Sequence, residues 1–292
     1  MPPIQRISPR ITDLGEGLQV GRALPTRDRR MIGAWCFLDH IGPVDFSGGP
    51  GMHVGAHPHT ALQTFTWLIE GEIEHRDSLG SEQRIRPGQV NLMTAGHGIV
   101  HTEDSPPGAG RLHAAQLWIA LPPEAADCAP AFAHHPDLPH WQEGPSTFTL
   151  LAGRHGPHQS PARLYSPLIG LDIHSTDATR LTLPLDPAFE YGILPLEGHA
   201  TIDGEGFDPT GFACLDPGRT HLDLEVAPGT RLLLIGGQPF ATPIQMAWNF
   251  VGHSRETIAT AQRAWEAGDP RFGPVPGSTR RLVAPPLPWA GI

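Results

Sequence analysis

"GAHPHTALQTFTW", Gly55 to Trp67, sets two histidines on either side of one proline and then alternates apolar with polar residues. Side chains two apart on an extended chain point to the same side. Pro58 removes a backbone donor and holds φ in the extended region, so the segment is not helix interior. His57 and His59 therefore project together from the start of a strand, as a chelating pair must. One pair does not make a site, and the other ligands have to come from elsewhere in the chain.

Outward from this stretch, Met31 to about Leu121 reads as short strands broken by turns. "AWCFLDHI", "QTFTWLIEGEIEHRD", "QRIRPGQVNLMTAG", "GIVHTED" and "RLHAAQLWIALP" alternate or run apolar over strand lengths, with turn chemistry in "DSLGSE" and "RPGQ". Strands this closely spaced predict a sandwich or small barrel rather than βαβ units. Residues 122–146 are Pro-rich and lack alternation, so they read as a connector, with His134, His135 and His140 as loop residues rather than ligands. A second strand series follows, and its spelling echoes the first. "TWLIEGEIE" (66–74) resembles "GILPLEGHAT" (192–201), and "IRPGQ" resembles "LDPGR". Two copies of one β module are expected. Beyond Phe250, "SRETIATAQRAWEAG" predicts a helix capped by Ser254, with Ile258, Ala261 and Trp265 on one face and Gly268 as its stop. The Pro-rich tail is expected to lie across the surface.

Composition narrows the chemistry. The formal net charge is -10 and every Lys-or-Arg position is arginine, because the chain contains no lysine. With no Arg-rich stripe, direct binding to nucleic acid or an anionic membrane is not expected. Schiff-base chemistry and a lysine-bearing P-loop are excluded outright. Cys36, Cys128 and Cys214 lie far apart with no Cys-x-x-Cys, and the first residues hold no apolar signal core. A cytoplasmic protein with unpaired thiols is the expectation. No Gly-x-Ser-x-Gly, His-Glu-x-x-His or dinucleotide fingerprint occurs.

The remaining ligands appear in "TAGHGIVHTEDS", where His101 and Glu103 repeat the two-apart arrangement on another predicted strand. Unrelated polar positions would explain one such pair; two pairs argue for a common purpose. Three imidazoles and one carboxylate suit Fe(II), Mn, Ni, Co or Zn, and the lack of thiolate argues against a closed structural zinc site. Four protein ligands on a six-coordinate ion leave two positions for substrate and oxidant. His53 shares the parity of His57, His75 is read as ordering a turn with Asp77, and His113 and Gln116 border the site or belong to the core.

This spacing resembles the first cupin motif: Gly51, His57-x-His59 and Gly71, with Thr64 where that motif carries glutamate. Gly88 through Gly96 and His101 resemble the second, with Thr94 in place of its proline, and Glu103 restores the lost carboxylate. "HPHTALQTFTWLIEGEIEHRDSLG", "MTAGHGIVHTED", "LHAAQLWIALP" and "WNFVGHSRETI" are similar to the signatures of pirins. The resemblance implies an all-β bicupin: two tandem cupin (jelly-roll-type) β-barrels with a short C-terminal helix. It divides the chain into an N-terminal metal-binding cupin, residues 1–133, and a degenerate C-terminal cupin, residues 134–292. Carried over, the metal ligands are His57, His59, His101 and Glu103, holding one divalent metal, Fe(II) first and Mn, Ni, Co, Cu or Zn as alternatives. The implied activity is O₂-dependent cleavage of a flavonol such as quercetin by a monomer, with Glu103 as both ligand and catalytic base. A non-catalytic regulator that binds protein partners is the second implied function. Thr60 and His97 depart from the family's usual basic residues. In the second copy, Pro184 and Asp186 fall where His57 and His59 would be, and His221 is the only nearby histidine, so a metal-free barrel is expected there.

Overall fold

The computed structural model describes residues 3–14, 18–49 and 51–289. They form strands throughout, with one α-helix, Arg255–Ala267. No helix among the described residues is long and apolar enough to cross a membrane. Two compact units emerge. The unit carrying His57 is built chiefly from Ile41–Pro136 and the chain from Ala241 onward, and the other from the chain up to Asp13, Gln19–His40 and Asp137–Phe240. Each unit draws on more than one stretch of the chain. Strand Gln5–Ile7, which the sequence pattern did not suggest, pairs antiparallel with Phe212–Leu215 and so belongs with the second module.

In the first unit a four-stranded sheet runs in the order His53–His59, Ile99–Asp104, Ile73–Asp77, Glu82–Ile85. A second sheet there orders Ala131–His135, Val90–Thr94, Leu62–Glu70, Arg111–Ala120 and residues 41–45. The other unit repeats both orders with its own strands. Thr179–Pro184, His221–Val226, Ala200–Ile202 and Glu205–Phe207 form one sheet, and Phe212–Leu215, Glu190–Glu197, Thr230–Gly237 and Leu168–Ser175 are consecutive in the other. The duplication is thus a repeat of topology as well as spelling, giving a two-cupin fold. Gly71 and Gly198 mark the same turn in each copy. Both have positive φ, +90° and +72°, and a Cβ on Gly71 would lie 2.3 Å from the Arg111 carbonyl oxygen. Only glycine fits so close an approach.

Residues 122–146 are less loop-like than their composition implied. Ala131–His135 pairs with Val90–Thr94, and His140–Glu143 pairs with Ser146–Ala152. Proline on either side keeps these strands short, which hid their alternation. The helix is as expected: Ser254 accepts a hydrogen bond from the Thr257 amide, Gly268 closes it in the left-handed region, and Ile258, Ala261 and Trp265 are buried. The tail does more than cross the surface. Ala56 donates to the Arg280 carbonyl and accepts from the Leu282 amide, so the tail covers the free edge of strand His53–His59.

The interior of the second cupin is lined by hydrocarbon. Its ladder pairs Pro184 with His221, and both are exposed, as is Asp186. The buried positions of these strands are Leu181, Leu183, Leu222, Leu224 and Val226, in a core with Ile193, Ile202 and Leu234. Leucines, not Pro184 and Asp186, therefore face inward where a ligand pair would be. Each fully buried leucine contributes about 1.5–3 kcal/mol. Leu224→Ala should cost about 2–5 kcal/mol of stability in denaturant titration while leaving metal uptake by the intact protein unchanged. A cost below about 1 kcal/mol would mean that this interior is not close-packed.

Candidate metal centre

Strand Ile99–Asp104 lies between His53–His59 and Ile73–Asp77, and its register brings the polar residues together. His101 pairs across to His57 on one side and to Asp77 on the other, while Glu103 pairs with His75. A register shift between His101 and Glu103 on the His53–His59 side bends the ladder there, as bulges near sites commonly do. Strand parity explains which side chains turn inward. Ala56 and Val100, next in sequence to His57 and His101, pack instead with Phe250, Ile258, Ala261, Trp265 and Phe272. The C-terminal segment is thus the backing of the histidine-bearing sheet.

On the inner face His57, His59, His75, Asp77 and His101 are all at most 6% exposed. Ligand nitrogens of His57, His59 and His101 lie within 4.8 Å of one another. The Nε2 atoms of His59 and His101 are 3.1 Å apart. His57 Nδ1 is 2.8 Å from the Gly55 carbonyl and His59 Nδ1 is 3.0 Å from the Asn249 carbonyl. A carbonyl can only accept, so both Nδ1 atoms carry the proton and both Nε2 atoms offer lone pairs. Tying the far ring nitrogen to a carbonyl is the usual outer support of a metal-binding histidine. These residues fit a cation.

Glu103 stands to one side, its carboxylate grouped within 4.8 Å of His75 and His101 rather than with the three-histidine cluster. Thr66 Oγ1 lies 3.3 Å from Glu103 Oε1 and 2.7 Å from Gln116 Oε1. One hydroxyl proton serves only one of these; the other contact needs the Gln116 amide turned to donate, or a protonated Glu103. Burial raises the Glu103 pKa.

Burial also keeps the imidazoles neutral, lowering His57 to about 4 and His59 and His101 well below their ordinary 6.5, with neighbouring rings adding to the effect. Between pH 6.5 and about 4 the unfolded chain therefore binds protons that the folded one refuses, so folded-state stability falls as pH drops through that window. For His57 alone, a shift from 6.5 to about 4 amounts to on the order of 3 kcal/mol. Metal-free protein should lose melting temperature steeply between pH 6.5 and 4, and the double variant His57→Phe, His101→Phe should flatten that loss. A melting temperature independent of pH across this range would contradict the burial of neutral rings.

The other singled-out residues divide. His53 is exposed and 3.0 Å from Asp104. His113 is buried in the Arg111–Ala120 strand, and His134 hydrogen-bonds Asn91 at 2.8 Å, away from the cluster. Thr60 and His97 line one cavity of about 230 Å³ with His253 and Arg271. His75 does meet Asp77, at 3.1 Å, as the turn reading expected. It also reaches His101, with the two Nδ1 atoms 3.3 Å apart, a contact the turn reading missed. Trp118, edge-on to His59 at 5.0 Å, and Phe132, stacked on His75 at 4.4 Å, supply apolar walls. Both sit in strands of the opposing sheet, and nothing local in the sequence marks them.

Residues 17–119 match the family model described as Pirin, and residues 170–273 match the Pirin C-terminal cupin domain. The chain belongs to the pirin family. It is 60% identical over 287 residues to a Pseudomonas aeruginosa protein provisionally named a quercetin 2,3-dioxygenase, covering 98% of this chain and 91% of that one. A pirin-like protein of Caulobacter vibrioides is 37% identical over 264 residues, with 88% and 90% of the two chains covered. The crystal structure of a quercetin 2,3-dioxygenase from Acinetobacter baumannii matches with a TM-score of 0.95 at 49% identity, covering 98% and 96%. Among the described residues of this pirin, groups able to hold a metal occur only in the first cupin.

Proposed function

We propose that this pirin holds one divalent transition metal, Fe(II) foremost, on His57, His59, His101 and Glu103, and cleaves flavonol-like substrates with O₂. The observation that carries the reading is the convergence of three buried, neutral imidazoles beside a half-buried carboxylate. Nitrogen and oxygen donors without thiolate suit first-row divalent ions. Relatives at 60% and 49% identity that bear the name quercetin 2,3-dioxygenase support the substrate class. A metal bound there would supply Lewis-acid activation of the flavonol's hydroxyl and carbonyl oxygens and an electron path to O₂.

The chain's own residues would do the rest. Glu103, whose proton affinity is raised by burial, accepts the flavonol hydroxyl proton at a carboxylate oxygen. The Thr66 hydroxyl orients that carboxylate. Trp118 and Phe132 keep water from the imidazoles that they contact. No lysine is present to offer a competing cation.

Iron-loaded protein should consume O₂ with a flavonol. Glu103→Gln should retain metal and lose roughly 10²- to 10⁴-fold in turnover, the span of general acid–base catalysis. Metal and rate falling together would make Glu103 a ligand only. His221→Ala should leave both unchanged. Fully loaded wild-type protein that turns over no flavonol or related catechol would overturn the dioxygenase reading.

A further inference from the structure

We infer that His75 and Asp77 form a hydrogen-bond relay that fixes His101 with its proton on Nδ1, so that Nε2 is free for a metal; His75 is a positioning residue and not a ligand. The inference rests on the metal reading above and deepens it.

The chain of protons starts at Asp77. Its side chain is fully buried, and Oδ1 accepts the backbone amides of Leu79 at 2.9 Å and Ser81 at 3.0 Å. Oδ2 lies 3.1 Å from His75 Nε2. Burial alone would raise the pKa of Asp77, but its hydrogen bonds to His75 and Ser81 outweigh that and hold it below its ordinary value. It is therefore a carboxylate and can only accept, which places a proton on His75 Nε2.

The other ring nitrogen of His75 is Nδ1. That atom faces His101 Nδ1 at 3.3 Å, and one proton must lie between them. It belongs to His101 when that ring gives its Nε2 lone pair to a metal, because the proton is then on Nδ1 and His75 Nδ1 has to accept it. His101 Nε2 is left bare, and this is the atom 3.1 Å from His59 Nε2. All three rings thus reach the same state by different routes: His57 and His59 through carbonyls, His101 through a second imidazole. Phe132, stacked on His75 at 15°, holds the ring in its plane.

His75, His101 and Glu103 also bring ligand atoms within 4.8 Å of one another, so His75 has a rival role as a ligand itself. The hydrogen bonds decide against it. Nε2 of His75 is engaged by Asp77 and Nδ1 by His101, leaving no lone pair to give.

Asp77→Asn is the sharpest variant. The Leu79 and Ser81 amides pin the carbonyl oxygen of the substituted side chain, so its NH₂ must face His75 and donate. His75 is then forced to carry its proton on Nδ1, and His101 to carry one on Nε2, where the metal would bind. Co(II) titration should show about 10- to 100-fold weaker binding in Asp77→Asn and in His75→Ala, the range for lost outer support of a ligand. His75→Gln supplies a carbonyl acceptor for His101 and should recover most of that loss with the visible Co(II) spectrum of the wild type. Metal-free melting curves identify any variant that fails to fold, and the three substitutions differ enough for the others to decide. Wild-type affinity in both Asp77→Asn and His75→Ala would overturn the relay alone. A His75→Gln spectrum missing one imidazole would make His75 a ligand and overturn it as well. Wild-type protein that takes up no Co(II) would remove the metal reading and the relay together.

Discussion

Three imidazoles buried in mutual contact are the constraint on which the rest of the first cupin depends. They cannot all be charged, because burial holds each well below its ordinary pKa. Nor can they hydrogen-bond one another in a closed set once their Nδ1 protons are committed outward. Bare nitrogen lone pairs then face each other across about the width of a hydrogen bond, which is costly without a proton or a cation between them. A protein maintains such a cluster only if the surrounding structure enforces it. Here that enforcement comes from the Gly55 and Asn249 carbonyls, the central position of strand Ile99–Asp104, and the apolar backing of the C-terminal helix.

The two cupins show what the same topology does with and without that cluster. Equivalent strand orders enclose imidazoles, threonines and a carboxylate in one copy and leucines in the other. Hydrocarbon packing needs no particular tautomer and no external partner, so the second copy is stable by burial alone. In the first, part of the hydrophobic interior is replaced by polar groups whose desolvation must be offset by hydrogen bonds. The added coverage around that copy fits this need: residues 280–282 cover the edge of its histidine-bearing sheet.

Much of this was legible in the sequence. The two-apart pairs His57/His59 and His101/Glu103 state their parity directly, and parity fixed which side chains would share a face. The copy-to-copy echo of Gly71 and Gly198 gave the duplication. What the sequence could not state is register. His75 and Asp77 also sit two apart, but turn chemistry explains that pair equally well, and only the ladder against Ile99–Asp104 brings His75 to His101. Likewise, one residue of alternation separates Pro184 from Leu183, so an alignment anchored on a distant glycine chose the exposed position rather than the buried one. Strands such as Gln5–Ile7 and Ala131–His135 were invisible because they are short edge pieces whose partners lie far away in sequence.

The central claim, that three Nε2 atoms of the first cupin converge on one cation, is tested most directly by crystals of metal-loaded protein measured at the metal's absorption edge. The account predicts a single anomalous peak bonded to Nε2 of His57, His59 and His101. A peak lying between His75 and His101, or one within the leucine-lined second cupin, would contradict it.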